Sequence, residues 1–99
     1  MVVFDGFGIV NSMESGKVLD VSKGSPDAGA RIVQWDWHGG DNQRFAIEDL
    51  GNAAFVIRAK HSGRVLDLVK ASHNDGAMIV QWDGHGRPNQ QWKFGHAID

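Results

Sequence analysis

The chain has 99 residues, with 10 Lys and Arg against 12 Asp and Glu, a formal charge of −2, 41% hydrophobic residues and no Cys. That length suits one domain with a small core, and no Lys/Arg block supplies the basic face that nucleic acid or an anionic membrane surface requires. The absence of Cys excludes disulfides and thiolate chemistry, and no stretch approaches the roughly 20 apolar residues of a membrane span.

In chain order, the segment "VVFDGFGIVN" opens with a short β-rich run, Val2 to Phe4, and an Asp5-Gly6 turn. It has neither the basic region nor the apolar run of a signal peptide. Lack of disulfides favours an intracellular setting without requiring one, so the location stays open. Val18 to Val21 and Arg31 to Trp35 follow as β-rich runs bounded by Gly, Ser and Asp. Phe45 to Ile47 and Phe55 to Ile57 flank "EDLGNAA", which suits a hairpin. No long window has helical periodicity. The thirteen Gly and two Pro favour many tight turns over long helices.

A constant shift of 47 superimposes Ser15–Ile47 on Ser62–Phe94 without a gap, and 18 of those 33 positions are identical. "SGKVLDV" matches "SGRVLDL", "GARIVQWD" matches "GAMIVQWD", and "HGGDNQRF" matches "HGRPNQQW". Such self-similarity marks a repeat architecture. The reading is one all-β domain over residues 1–99, with repeat one at about 7–50 and repeat two at about 55–97. Val2 to Phe4 would be the last strand of a preceding unit.

The pattern "SGKVLDV…G-A-x-I-V-Q-W…N-Q-x-W" resembles the ricin-B-type (R-type) lectin repeat, named for its Gln-x-Trp signature. The Cys-free "QWDWHGGDNQ" form is most similar to the bacterial and fungal branch and to family 13 carbohydrate-binding modules. Asn89-Gln90-Gln91-Trp92 carries the whole signature; Asn42-Gln43-Arg44-Phe45 has Phe in place of Trp. The resemblance implies a β-trefoil, three four-stranded units around a pseudo-threefold axis. Two units cannot close that barrel and would leave strand edges open. Three resolutions are open. Copies associate, as a homo-oligomer such as a trimer pooling six units into two trefoils; two copies make a different four-unit assembly; or the chain is a piece of a longer or engineered protein.

For function the resemblance implies a lectin with a carbohydrate ligand, one shallow site per repeat. Galactose or N-acetylgalactosamine-type glycans are the family's common ligands, and xylan-type polysaccharides suit its enzyme-attached modules. A non-lectin trefoil interaction scaffold and an engineered repeat fragment are the competing readings. Sugar binding needs a carboxylate or amide for vicinal hydroxyls and an aromatic face for the C–H side of the ring. Asp20 and Asp67 interrupt apolar runs and are implied to accept from sugar hydroxyls; the plain alternative is a solvent-facing or turn-capping Asp. Trp35 and Trp82 recur after Gln, where a core role competes with stacking. Trp37, whose counterpart is Gly84, is the first choice of platform, on the same face as Trp35 if the strand stays regular. His38 and His85 recur in Asp-x-His-Gly and would donate to a sugar or hold the loop. Asn42 and Asn89 are implied to bond a hydroxyl and Phe45 and Trp92 to fill the core; Gln43 and Gln90 count among the sugar-site candidates, with a purely structural role, tying the loop to the backbone, equally open. Ser22 and Gly24 join the sugar-site candidates, lying just past Asp20 where backbone groups could approach a ligand; repeat two has Val69 and Ala71 there, so site one ranks higher.

Asp-x-His supplies too few ligands for zinc, so neither metal nor cofactor is expected. No nucleophile–base pair is signalled. Asp20 and Asp67, at equivalent places in two repeats, do not make a glycosidase pair. No catalysis is read.

Overall fold

A computed structural model describes residues 2–4, 6–12 and 14–93. Its strands are β1 (Val2–Phe4), β2 (Phe7–Ile9), β3 (Val18–Val21), β4 (Ile32–Trp35), β5 (Phe45–Gly51), β6 (Ala54–Ala59), β7 (Val65–Leu68) and β8 (Ile79–Trp82). Single 3₁₀ turns occupy Ser22–Gly24, Asp41–Gln43, Val69–Ala71 and Pro88–Gln90. No helix among the described residues is long and apolar enough to cross a membrane. Asp5, read as part of the first turn, and residues 94–97, the end of repeat two, lie outside the described residues.

The repeat in sequence is a repeat in space. β3 pairs antiparallel with β4, setting Asp20 opposite Val33 and Val18 opposite Trp35. β7 pairs with β8 in the same register, Asp67 opposite Val80 and Val65 opposite Trp82. Residues directly opposite one another share a face of the sheet. Asp20, Val33 and Trp35 therefore stand together, while Leu19, Val21 and Ile32 turn to the other side.

β1 pairs with β2, Val3 opposite Gly8, as β5 pairs with β6, Asp49 opposite Phe55. Gly8 and Phe55 are 47 apart, so β1 occupies the place of a preceding unit's last strand. The strands run further into "EDLGNAA" than the sequence suggests. Gly51 pairs with Ala54, and only Asn52 and Ala53 form the turn, with φ of 53° and 61°. Positive φ at both central residues is what a tight two-residue hairpin needs to match strand twist. In unit two the strand after the signature appears as a bridge between Phe55 and Trp92.

The core lies between the units. Val21 and Phe45 from unit one meet Ile57, Ala59 and Leu66 from unit two, with Leu19, Ile32, Ile79 and Trp92 packed around them. Phe45 is among the largest fully buried side chains, and Trp92 lies against the same cluster. The two aromatics of the signature fill core positions, as the sequence implies. Truncating Phe45 to Ala costs about 3–5 kcal/mol on general grounds, transfer and cavity together.

The two units also meet through main chain. Gly29 N donates to Gln81 O at 2.8 Å and Gln81 N to Ala30 O at 2.9 Å, and Arg31 bridges Val80. The loop after β3 is thereby stitched to β8.

Candidate functional site

Each unit carries a cavity on the outward face of its second hairpin. The first, about 440 Å³, is lined by Asp20, Ser22, Lys23, Gly24, Val33, Trp35, His38 and Asn42. The second, about 450 Å³, is lined by Asp67, Val69, Lys70, Met78, Val80, Trp82, His85, Asn89 and Gly29 of unit one.

Asp20 is 4% exposed although it belongs to the outward face. A buried carboxylate needs partners, and Gln43 supplies one. Gln43 Nε2 donates to Asp20 Oδ2 at 2.9 Å and to Asp36 O at 2.8 Å, while Gln43 Oε1 accepts from His38 N at 2.9 Å. One amide thus clamps the carboxylate and closes the loop before it. His38 Nδ1 accepts from Gly40 N at 3.1 Å, which puts the ring proton on Nε2, 3.6 Å from Asp20 Oδ2. Asn42 Nδ2 donates to Val21 O at 3.1 Å and ties the loop to the end of β3. The other carboxylate oxygen of Asp20 is left to the cavity.

Unit two repeats the arrangement atom for atom. Gln90 Nε2 donates to Asp67 Oδ2 and to Asp83 O, each at 2.9 Å, and Gln90 Oε1 accepts from His85 N at 2.9 Å. Asn89 Nδ2 donates to Leu68 O at 3.2 Å, and His85 Nε2 lies 3.7 Å from Asp67 Oδ2. Two copies of one clamp show that it belongs to the repeated unit as folded.

The named residues sort themselves by place. Asp20, Ser22, Gly24, Trp35, His38 and Asn42 line the first cavity, and Asp67, Trp82, His85 and Asn89 line the second. Gln43 and Gln90 stand behind the walls, fully buried. Trp37 does not line the cavity. β4 ends at Trp35, so the alternation that would place Trp37 beside Trp35 is broken, and the Arg44 guanidinium sits over the Trp37 ring, 5.0 Å from its centroid. Trp35 is the aromatic wall, 60% exposed; Trp82 is its counterpart, 44% exposed.

Val33 and Val80 also line the cavities, and their signal in the sequence is their place two residues before each Trp on a strand of period two. Lys23 and Lys70 sit in the turn after the Asp, with φ of 59° and 54°, a geometry no motif announces. Met78 carries no repeat signal, since its counterpart is Arg31. Gly29 reaches site two from the other unit, which no local pattern reveals.

Chemically, each cavity sets a clamped carboxylate acceptor, an amide and an imidazole N–H beside an exposed indole face. Among the described residues no group of three or more His, Asp or Glu gathers as metal ligands would.

Comparison with known proteins agrees with this architecture. The sequence pattern of the ricin-type beta-trefoil lectin domain-like family matches residues 3–82. The chain superimposes on ThreeFoil, a designed threefold-symmetric protein, with a TM-score of 0.90 and 40% identity, over 93% of this chain and 66% of that one. An exo-β-1,3-galactanase from Clostridium thermocellum matches with a TM-score of 0.89 and 35% identity, over 93% of this chain and 20% of the enzyme. In sequence, the clotting factor G alpha subunit of Tachypleus tridentatus is 38% identical over 53 residues, 54% of this chain and 8% of that subunit. The chain therefore spans only part of each of these relatives. Fold, repeat and family pattern together show that the chain belongs to the ricin-type β-trefoil lectin-like domain family.

Proposed function

We propose that this protein is a lectin module, a single domain of two repeats with one shallow sugar site in each. The observation that carries this reading is the buried, glutamine-clamped carboxylate facing an exposed Trp in both cavities. Asp20 and Asp67 accept from adjacent sugar hydroxyls. A hydrogen bond to a charged group is worth about 1.5–3 kcal/mol, and the clamp keeps the acceptor oriented before the ligand arrives. Trp35 and Trp82 cover the C–H-rich face of the ring. Asn42 and Asn89, with the imidazole N–H of His38 and His85, complete the polar rim.

The ligand class we assign is galactose- or N-acetylgalactosamine-type glycans. The likeness to a galactanase supports galactose chemistry, although the chain corresponds to a fifth of that enzyme. With so few contacts, each site holds a monosaccharide in the millimolar to micromolar range, roughly −4 to −8 kcal/mol. Association of copies, three chains pooling six units, would multiply this by avidity. The function is binding rather than catalysis: the two carboxylates belong to separate cavities on separate units.

A high-density glycan array tests the reading. The protein is expected to mark galactosides, and the Asp20→Ala/Asp67→Ala double variant to lose that signal with its β circular dichroism intact. Undiminished array binding by the folded double variant refutes the assignment.

A further inference from the structure

The two cavities share most of their walls. Asp, Val, Trp, His and Asn hold equivalent places in both, and so does the Lys of the turn. They differ at one end, and the register shows where. Along the second hairpin Trp82 stands opposite Val65 and Val80 opposite Asp67. One step further, Val69 N donates to Met78 O at 3.0 Å and carries the pairing past the strand ends. Both Val69 and Met78 line the cavity. At about 3.3 Å per residue, Met78 lies about 7 Å beyond Val80 along the chain. The Asp67 carboxylate therefore stands between an indole on one side and an apolar pair on the other.

Unit one keeps the backbone of this end and changes its chemistry. Ser22 N donates to Arg31 O at 2.9 Å, the same bond 47 residues earlier. Ser22 lines the first cavity, and Arg31 is exposed beside it in sequence register. A hydroxyl and a guanidinium thus hold the places where unit two has an isopropyl group and a thioether.

The apolar pair is open to a ligand. Met78 is 46% exposed, and a Met side chain adapts its shape to what lies on it. Val69 beside it is held stiff by its branched Cβ. Neither side chain donates a hydrogen bond, and the thioether is only a weak acceptor. A sugar hydroxyl turned onto this pair gives up water and gains no partner. A methyl group placed there gains by leaving water.

A ring stacked on Trp82 with two adjacent hydroxyls on Asp67 fills the first part of the cavity. The substituent on the next ring carbon then passes beyond the carboxylate, onto Val69 and Met78. In a plain galactoside that substituent is a hydroxyl. In N-acetylgalactosamine it is an acetamido group, which ends in a methyl.

We infer that Val69 and Met78 are specificity-determining residues that make site two select a 2-acetamido galactoside over the plain sugar, a selection that site one lacks. The inference rests on the lectin reading of both cavities. Burial of one methyl group corresponds to about fourfold in affinity, which sets the size of the preference.

Two single-site chains isolate the cavities: Asp20→Ala leaves site two, and Asp67→Ala leaves site one. Each is titrated with methyl β-galactoside and with its 2-acetamido counterpart, followed by amide and indole NMR signals. The readout is the ratio of the two dissociation constants within one chain, which a general loss of stability does not move. The expected ratio favours the acetamido sugar by about fourfold or more at site two and shows no preference at site one. Val69→Ser with Met78→Arg, in the Asp20→Ala chain, is expected to bring site two to the ratio of site one. Should circular dichroism show that chain unfolded, the reverse exchange decides instead. Ser22→Val with Arg31→Met, in the Asp67→Ala chain, is expected to create the preference at site one, and an unmoved ratio there overturns the inference.

Equal ratios in the two single-site chains also overturn it and leave the lectin reading standing, because an amide hydrogen bond to groups that both sites share raises both ratios alike. A preference that survives the exchange at site two belongs to the Gly29 wall, and the assignment to Val69 and Met78 falls. If neither sugar binds either chain, the lectin reading fails and takes the inference with it.

Discussion

Gln43 and Asp20, 23 positions apart, are joined by a 2.9 Å hydrogen bond, and both are closed to solvent, at 0% and 4% exposure. Gln43 is thus the support of the carboxylate rather than a ligand group, and the same holds for Gln90 and Asp67 at 2.9 Å. Removing the amide strands a buried charge and two backbone groups. Gln43→Ala is expected to destabilise the fold by about 1–3 kcal/mol, the cost of leaving buried polar groups unmet. Urea denaturation measures it.

The charge at Asp20 and Asp67 is separable from their shape. Asp20→Asn in an Asp67→Ala background keeps the volume but loses the charged acceptor. The expected loss in lactose affinity is about fivefold or more, since charge-assisted bonds exceed neutral ones by roughly 1 kcal/mol or more. Titration calorimetry reads it, and an unchanged affinity would place the sugar elsewhere.

The two tryptophans of "WDW" divide by role. Trp35→Ala is expected to abolish detectable binding at site one. Trp37→Ala should leave binding there intact and cost about 0.5–1 kcal/mol of stability, the worth of an exposed cation–π contact with Arg44. Tryptophan fluorescence of the single variants, titrated with lactose, distinguishes them.

Ala53 and Ala71 hold φ of 61° and 52°, where a Cβ is unfavourable by about 1–2 kcal/mol. Gly24 occupies the place of Ala71 in unit one, with φ of 63°. Ala53→Gly and Ala71→Gly are each expected to raise stability by about 0.5–1 kcal/mol, less than the strain relieved because Gly loosens the unfolded chain. Thermal melts decide this, and a fall in either would contradict it.

Glu48 and Arg58 tie β5 to β6, with Arg58 Nε donating to Glu48 Oε2 at 2.7 Å and Nη2 to Oε1 at 3.2 Å. The hydrogen bond from Arg58 holds the Glu48 carboxyl below its ordinary 4.5, against a smaller opposing effect of burial. A depressed carboxyl stabilises the fold above its unfolded value and loses that contribution as pH falls through the folded one. Both groups are over a third exposed, so the pair is worth about 0.2–1 kcal/mol. Glu48→Gln should cost the pair's contribution of about 0.2–1 kcal/mol at neutral pH and flatten the stability profile below pH 4.5, where the parent chain loses it as well.

Much of this protein was written locally. The 47-residue period and the short strands are set by side-chain type and period-two alternation, while the core aromatics Phe45 and Trp92 and the set Asp20, His38 and Asn42 with their copies are legible through the family resemblance those residues carry. What alternation fails to reach is the point where a strand stops. Trp37 belongs to the Trp35 face only while β4 continues, and the chain leaves that strand at Trp35, so only the folded backbone sends Trp37 to Arg44. Likewise, "VLDV" shows that Asp20 turns away from Leu19, but its burial comes from Gln43, brought close by the fold. The tertiary structure alone decided the sharpest difference between the repeats. Gln34 and Gln81 sit in the same local sequence, Ile-Val-Gln-Trp-Asp, one exposed and one sealed, because among the described residues only Gln81 has a loop of the other unit to accept its hydrogen bonds.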